Sequence, residues 1–325
     1  VTSDLREFHD ELRVMARGLL TKGGDWHHLV EAGWTALEVP EPLGGAGASF
    51  VETAIVLEEL GRAAADTRYL GTALAAGALT SLAPNDSRDE LLERLGAGAT
   101  AALATGFTIS DGRVSGLAEF VPDAEGAEVV LLLADDDGRP VVVTTSGATI
   151  TPQPVLDDTR ALATVTAEGT AVAQSWPLTA DPGSLRDRGA IAIACDSLGV
   201  GEAMLAATVD YARVREQFGR PIGSFQAVKH ACADMLVQLS VARHLVDAAV
   251  GTLAEGGDAG VAAAMAKSYA CSAAVEVAGT AMQLHGGIGY TWESGVHVYL
   301  KRAMLNRALF GSPATHRKRL ADRYR

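Results

Sequence analysis

Four long stretches of helix-period apolar residues fill the carboxy-terminal part of the chain, from about residue 182 to residue 325. Leu185–Phe218 ends at Gly219 and Pro221, and Ser224–Gly256 follows it. Gly260–Leu284 runs into Gly286-Gly287, Ser294–Phe310 stops at Gly311 and Pro313, and His316–Arg325 forms a last turn or helix. Glycine and proline in those places are stop signals. Long amphipathic segments joined by short loops bury their apolar stripes against one another, which predicts an up-down four-helix bundle.

The rest of the chain divides into two further regions. Residues 1–98 read as all-helical: Leu5–Leu20, Trp26–Val39 ended by Pro40, Ser49–Ala65, Thr72–Leu82 and Ser87–Leu95. A turn-rich loop, Pro40–Gly47, interrupts them. Residues 99–176 change character, with β-branched runs at 129–133, 141–145 and 163–166. Asp111-Gly112, Asp136-Asp137-Gly138 and Asp157-Asp158 punctuate those runs, and the spacing predicts a small antiparallel barrel or sandwich. A buried helix over Ala124–Ala134 is the alternative, but its β-branched and leucine run favours a strand. The fold class is therefore mainly α with a small β domain (α+β), in three domains: 1–98 helical, 99–176 β and 182–325 bundle.

Composition excludes several functions. Lys+Arg number 27 against Asp+Glu 40, a net charge of -13, which disfavours nucleic acid and anionic membranes as partners. Cys195, Cys232 and Cys271 each lie in an apolar, alanine-rich stretch and read as buried structural thiols rather than a disulfide framework or a zinc site. No uninterrupted apolar run reaches the roughly 18 residues of a membrane span, and no secretory segment opens the chain, so the expectation is a cytoplasmic protein. Aromatic residues make up only 5% while alanine and glycine are plentiful, which suits closely packed helices.

Two motifs carry a resemblance. Residues 215–226, Arg215-Glu216-Gln217-Phe218-Gly219-Arg220-Pro221-Ile222-Gly223-Ser224-Phe225-Gln226, resemble the RxxFGxxIxxxQ helix–loop–helix of acyl-CoA dehydrogenases. Gln283-Leu284-His285-Gly286-Gly287-Ile288-Gly289-Tyr290 is similar to that family's QxxGGxGY turn. Glu31-Ala32-Gly33-Trp34, Glu58–Arg62, Val121–Ala124 and Asp157–Arg160 add weaker echoes over the rest of the chain. The resemblance implies an amino-terminal helical domain, a middle β domain and a carboxy-terminal bundle. It also implies FAD as cofactor, an acyl-CoA thioester as substrate and an electron-transfer acceptor. The reaction implied is α,β-dehydrogenation, in which a carboxylate takes the α proton and the flavin takes the β hydride.

The resemblance also assigns residues. In the family these two motifs grip the adenine-dinucleotide half of FAD held by a neighbouring subunit. Carried over, Arg215 pairs with the pyrophosphate, Gln217 donates to it and Phe218 packs on the cofactor. Gln283, Gly286 and Gly287 approach it through side chain and backbone. Each position also has a structural reading: a surface arginine near a helix end, a helix C-cap at Gly286-Gly287, and a helix-start residue at Gln226, which stands equally as a FAD contact. His285 reads as a turn residue. The run His316-Arg317-Lys318-Arg319 reads as a solvated helix end, with contact to CoA phosphates as its alternative.

The sequence departs from the family at the base. One family position for the glutamate falls here at Phe310, before Gly311, and the other at about Gly189 or Ala190, counted back from Leu198-Gly199. None is a carboxylate. Asp187 is a weak substitute, since a two-residue shift turns a helix by roughly 200°, and its other role is a favourable anion in a first helical turn. Asp196 sits further along. The family's flavin-ring loop is also missing: Ala101–Ser110 has no Glu-Pro, and Trp176 lies at the far end of the β region. A retained clamp with a lost base and ring pocket is similar to the paired, α2β2 acyl-CoA dehydrogenases of actinobacterial steroid catabolism, whose substrates are bulky steroid-CoA thioesters. The expectation is a clamp-donating subunit of a heterotetramer with a second acyl-CoA dehydrogenase chain. A self-sufficient homo-oligomer using Asp187 or an unrecognised carboxylate, and a non-enzymatic scaffold or acyl-CoA-binding protein, are the alternatives.

Overall fold

The computed structural model describes residues 3–323. Its elements run in the order helices, strands, helices. The first set is α1 (Ser3–Thr21), α2 (Trp26–Glu31), α3 (Phe50–Arg62), α4 (Tyr69–Thr80) and α5 (Asp86–Gly96). Seven strands follow: β1 (Ala101–Ser110), β2 (Arg113–Pro122), β3 (Val129–Asp136), β4 (Arg139–Thr144), β5 (Thr149–Pro152), β6 (Leu162–Ala171) and β7 (Gln174–Pro177). Then come α6 (Pro182–Val214), the two-residue strands β8 (Glu216–Gln217) and β9 (Arg220–Pro221), α7 (Gln226–Ala254), α8 (Gly260–His285), α9 (Val296–Ala308) and α10 (Pro313–Arg323). The α+β class is as expected. The segment 26–39 is not one helix: Gly33, with φ of 75°, breaks it into α2 and a 3-10 turn over Trp34–Ala36.

The chain groups into two compact units. The unit made of Lys22–Thr53 and Asp66–Arg188 contains the sheet. Its strand order is β5-β6-β2-β1-β3-β4-β7. The expected wholly antiparallel barrel or sandwich is corrected here: the seven strands form one sheet, and β1 pairs with β3 in parallel. Two hairpin turns do fall at the predicted Asp-Gly pairs. Asp111 and Gly112 have φ of 50° and 68°, and Asp137 and Gly138 have 51° and 80°, the positive pair that a two-residue hairpin needs. Both faces of the sheet are covered. Leu131, Leu133 and Val142 pack with Leu79, Leu92 and Leu95 of α4 and α5, while Ala104, Leu132, Val143 and Val165 form a second core on the opposite face.

The other unit gathers the chain up to Thr21, Ala54–Ala65 and everything from Gly189 onward. Helix α8 is its centre, packed against α7, α9 and α10. Ala263, Ala266, Ala270, Ala273, Ala274, Val277 and Ala278 are buried around its circumference, and a helix apolar on all sides belongs in a core. Alanine there lets neighbouring helices approach closely, which is why so few aromatic residues suffice. Helix α6 is long and apolar enough to span a bilayer by length and composition, against the expectation of no such run, but 72% of its most apolar window is buried in the protein. The cysteines are free. Cys195 and Cys271 are buried as expected, whereas Cys232 on α7 is only half-buried.

Glu58, Glu59 and Arg62, one of the weaker family echoes, serve this unit as an ion network. Arg243 holds Glu58 with two contacts of 2.6 Å and also pairs with Glu202, which Arg62 pairs with as well. Arg17 grips the buried Glu59 at 2.8 and 2.9 Å.

Candidate functional site

The segment 215–226 is a preformed hairpin. Helix α6 ends at Val214, and the Arg215 amide donates to the Tyr211 carbonyl at 2.9 Å, closing the last turn. Glu216 then pairs with Pro221 and Gln217 with Arg220. The Ile222 amide returns to the Arg215 carbonyl at 2.7 Å. Between the two strands stand Phe218 and Gly219, with φ of 54° and 74°. A two-residue hairpin turn requires positive φ at both central positions, which Gly219 adopts freely and Phe218 adopts only under strain. The strained ring is not used for packing, since Phe218 is 93% exposed. Its edge meets Phe225 at a centroid distance of 6.2 Å, and the Arg220 guanidinium lies 4.1 Å over the other partner of that pair, Phe225. Phe225 and Arg220 thus back the displayed ring, and sequence reasoning had not singled them out.

The remaining residues of this segment face outward. Arg215 is exposed, and among the described residues no acid lies within ion-pairing distance of it. Gln217 donates from Nε2 to the Glu216 carbonyl at 2.8 Å. Gln226 is exposed and opens α7 as its first residue.

The second segment lies at the other end of α8. Gln283 is exposed in the last helical turn. Gly286 follows the helix with φ of 62° and ψ of -143°, a backbone region open in practice to glycine alone. It caps α8, but not with the left-handed geometry of an ordinary glycine cap. No atom lies within 4 Å of where a Cβ would stand on Gly286 or Gly287, so this stretch of backbone borders open space. The structure brings the two segments together: the Tyr211 and His285 rings stack at 4.4 Å with an interplanar angle of 17°, and the Tyr211 hydroxyl donates to the His285 carbonyl at 3.4 Å. His285 is buried and structural, as well as being at the turn. Tyr211 was missed, although it stands one helical turn before Arg215.

Phe310 and Gly189, the latter with Ala190 at the second position where the resemblance implies a base, also meet. A Cβ on Gly189 would fall 2.5 Å from Cδ1 and Cε1 of Phe310. Phe310 and Gly311 have φ of 53° and 95°. Their carbonyls are held from within, Phe310 by His316 Nε2 at 2.9 Å and Gly311 by Lys267 Nζ at 3.0 Å, with Arg307 O at 3.3 Å from the same ammonium. Lys267 is fully buried, and burial pushes its pKa below the ordinary lysine range. The basic run 316–319 is therefore split: His316 is a buried part of this turn, while Arg317, Lys318 and Arg319 are exposed on α10.

Neither nearby aspartate stands at those positions. Helix α6 begins at Pro182, which puts Asp187 in its second turn rather than its first, with a buried side chain. Asp196 is engaged on both oxygens, by Arg302 Nε at 3.0 Å and Nη2 at 2.6 Å, and by Asn306 Nδ2 at 2.6 Å. In the other unit, Trp176 is buried and its Nε1 donates to Asn85 and Ser87 at 3.2 and 3.0 Å, so it is spent on packing. Ala101, Ala102 and Ala104 of β1 are buried in the sheet cores.

The family models described as acyl-CoA dehydrogenase, N-terminal domain and C-terminal domain match residues 5–99 and 186–324. The chain is 37% identical to acyl-CoA dehydrogenase IpdE2 of Mycolicibacterium smegmatis over 296 residues, covering 91% of this chain and 86% of that one. It is 38% identical to IpdE2 of Mycobacterium tuberculosis over 298 residues, covering 91% and 85%. Among solved structures it is similar to a chain of the Tcur3481-Tcur3483 steroid ACAD, with a TM-score of 0.88, 26% identity and 98% of both chains covered. A chain of the ChsE4-ChsE5 complex from Mycobacterium tuberculosis superposes with a TM-score of 0.87 and 25% identity over 99% of this chain and 97% of that one.

Proposed function

Because the chain belongs to the acyl-CoA dehydrogenase family, we propose that it is the clamp-donating subunit of a FAD-dependent dehydrogenase that acts on an acyl-CoA thioester. The observation that carries this reading is the hairpin: a strained Phe218 displayed at 93% exposure beside an unpaired Arg215. Backbone strain without local packing gain is a mark of a site built for something outside the chain.

These residues fit one half of a dinucleotide. Arg215 offers a planar fork to a pyrophosphate. Phe218 offers an aromatic face, and Gly286 and Gly287 leave backbone open to close approach. Gln217, Gln226 and Gln283 stand around them as exposed amides. FAD, when bound, supplies the hydride acceptor. Among the described residues, the places where the resemblance implies a flavin-ring tryptophan and a base offer neither, because Trp176 is buried, Phe310 holds one base position and Gly189 and Ala190 the other. A second acyl-CoA dehydrogenase chain supplies both, in a heterotetramer with fewer active sites than subunits. Similarity to a chain of a steroid ACAD supports a steroid side-chain CoA as the substrate class, and similarity to a chain of the ChsE4-ChsE5 complex supports a partner chain. An electron-transfer acceptor would take the electrons from bound FAD, and this reading assigns the chain to the cytoplasm. Residues 1–98, 99–176 and 182–325 are the three functional domains in this reading.

The test is Arg215→Ala in the co-expressed complex. Removing the fork should lower bound FAD at least tenfold in affinity, since charge-assisted contacts of this kind contribute about 1.5–3 kcal/mol. Unchanged flavin content would refute the clamp.

A further inference from the structure

We propose that His285 is a positioning residue that braces the two halves of the clamp into one register through its stack on Tyr211. The inference rests on the clamp reading and adds to it the element that makes two separate segments act on one ligand.

Neither gripping segment fixes itself relative to the other. Arg215 lies on a hairpin that follows α6, while Gly286 and Gly287 end α8, and the residues that join them are 74 positions apart in sequence. Gly286 and Gly287 have no side chains with which to anchor themselves, and no atom lies within 4 Å of a Cβ position on either one. A diphosphate gripped from two directions needs the guanidinium and the turn held at constant separation, because binding loses affinity for every element it must order.

The Tyr211–His285 pair supplies that constraint. Tyr211 moves with Arg215, since its carbonyl accepts the Arg215 amide at 2.9 Å. His285 is directly bonded to Gly286. The histidine is fixed at two places on its ring and a third on its backbone. Its Nδ1 donates to the Ala281 carbonyl at 2.7 Å, one turn back along α8. Its face meets Tyr211 at 4.4 Å and 17°, and its own carbonyl accepts the Tyr211 hydroxyl at 3.4 Å. The imidazole is buried, while Tyr211 is half-buried, so the histidine ring lies behind the surface that the ligand meets. That makes it a positioning group and not a contact.

The experiment uses the complex of this chain with its full-length dehydrogenase partner and follows FAD affinity by flavin fluorescence. His285→Leu removes the stack and should weaken FAD about five- to tenfold. His285→Phe keeps the stack and drops the bond to Ala281, and should stay within about twofold of wild type. Tyr211→Leu and Tyr211→Phe should repeat that pattern from the other side, and they serve if a His285 variant fails to assemble. Arg215→Ala is the control. If Arg215→Ala weakens FAD while the leucine variants match wild type, the brace is wrong and the clamp stands. If the phenylalanine variants are as weak as the leucine ones, stacking is not what positions the segments, and the brace is again overturned. If Arg215→Ala itself has no effect, the clamp reading fails first.

Discussion

The Phe310 ring lies directly against the backbone of Gly189, so close that a Cβ on Gly189 would fall 2.5 Å from two of its carbons. Phe310 holds one of the two places at which the resemblance implies a base, and Gly189, beside Ala190, holds the other, so the two places meet through a phenyl ring and a hydrogen atom. Glycine and phenylalanine fit each other here, and neither can be exchanged for a larger group alone.

That contact sets the sign of a substitution. Glycine to alanine inside a helix ordinarily stabilises by about 1 kcal/mol. Gly189→Ala should instead destabilise by about 1–3 kcal/mol, the cost of overpacking. Adding Phe310→Ala removes the clash, and the double variant should recover at least part of that loss. A denaturant-unfolding double-mutant cycle with a coupling near zero would contradict the packing described.

Phe218 separates strain from function. Its φ of 54° suits glycine better than phenylalanine. Phe218→Gly should leave the melting temperature unchanged or raised, while FAD affinity in the complex falls about tenfold, since burying one phenyl ring supplies ~1.5 kcal/mol or more. Parallel losses of stability and affinity would mean that the ring serves the fold.

Asp196 should prove structural. It answers the charge of Arg302, whose side chain is nearly fully buried. Asp196→Ala removes the carboxylate that answers this buried guanidinium, which keeps its Nη1 bond to the Ala65 carbonyl at 2.8 Å, at a cost of about 3–5 kcal/mol. Thermal unfolding of the variant checks this, and a loss under 1 kcal/mol would contradict it.

The ion network predicts an acid limb. Burial pushes the Glu202 carboxyl upward, but Arg243 and Arg62 outweigh it and hold its pKa below the ordinary glutamate value of 4.5. A depressed folded pKa gives stability that is present above the unfolded value and is lost as pH falls through the folded one. Stability should therefore decline below about pH 4.5, and less steeply in Glu202→Gln. Equal slopes in both proteins would remove Glu202 from the network's role.

Much of this was legible in the sequence, because its signals are local. Gly311 and Pro313 mark the end of α9, and Asp111-Gly112 and Asp137-Gly138 mark their hairpins through the positive φ they tolerate. The parallel pairing of β1 with β3 was not legible, since alternation fixes which residues face inward but not which strand lies alongside. Gly33 broke a helix that the apolar spacing continued, as a single glycine can by turning to positive φ. At the site, Arg215, Phe218 and Gly286 were readable as motif residues. The contacts of Gly189 with Phe310, of Asp196 with Arg302 and of Tyr211 with His285 were not, because each joins residues far apart in sequence.

The central claim is that this chain holds half of an active site. Flavin absorbance and acyl-CoA turnover, measured on the chain purified alone and on its complex with a co-expressed full-length acyl-CoA dehydrogenase, test it most directly. The account predicts sub-stoichiometric flavin and no turnover for the chain alone, and bound FAD with turnover for the complex. Stoichiometric FAD and acyl-CoA dehydrogenation by the isolated chain would contradict it.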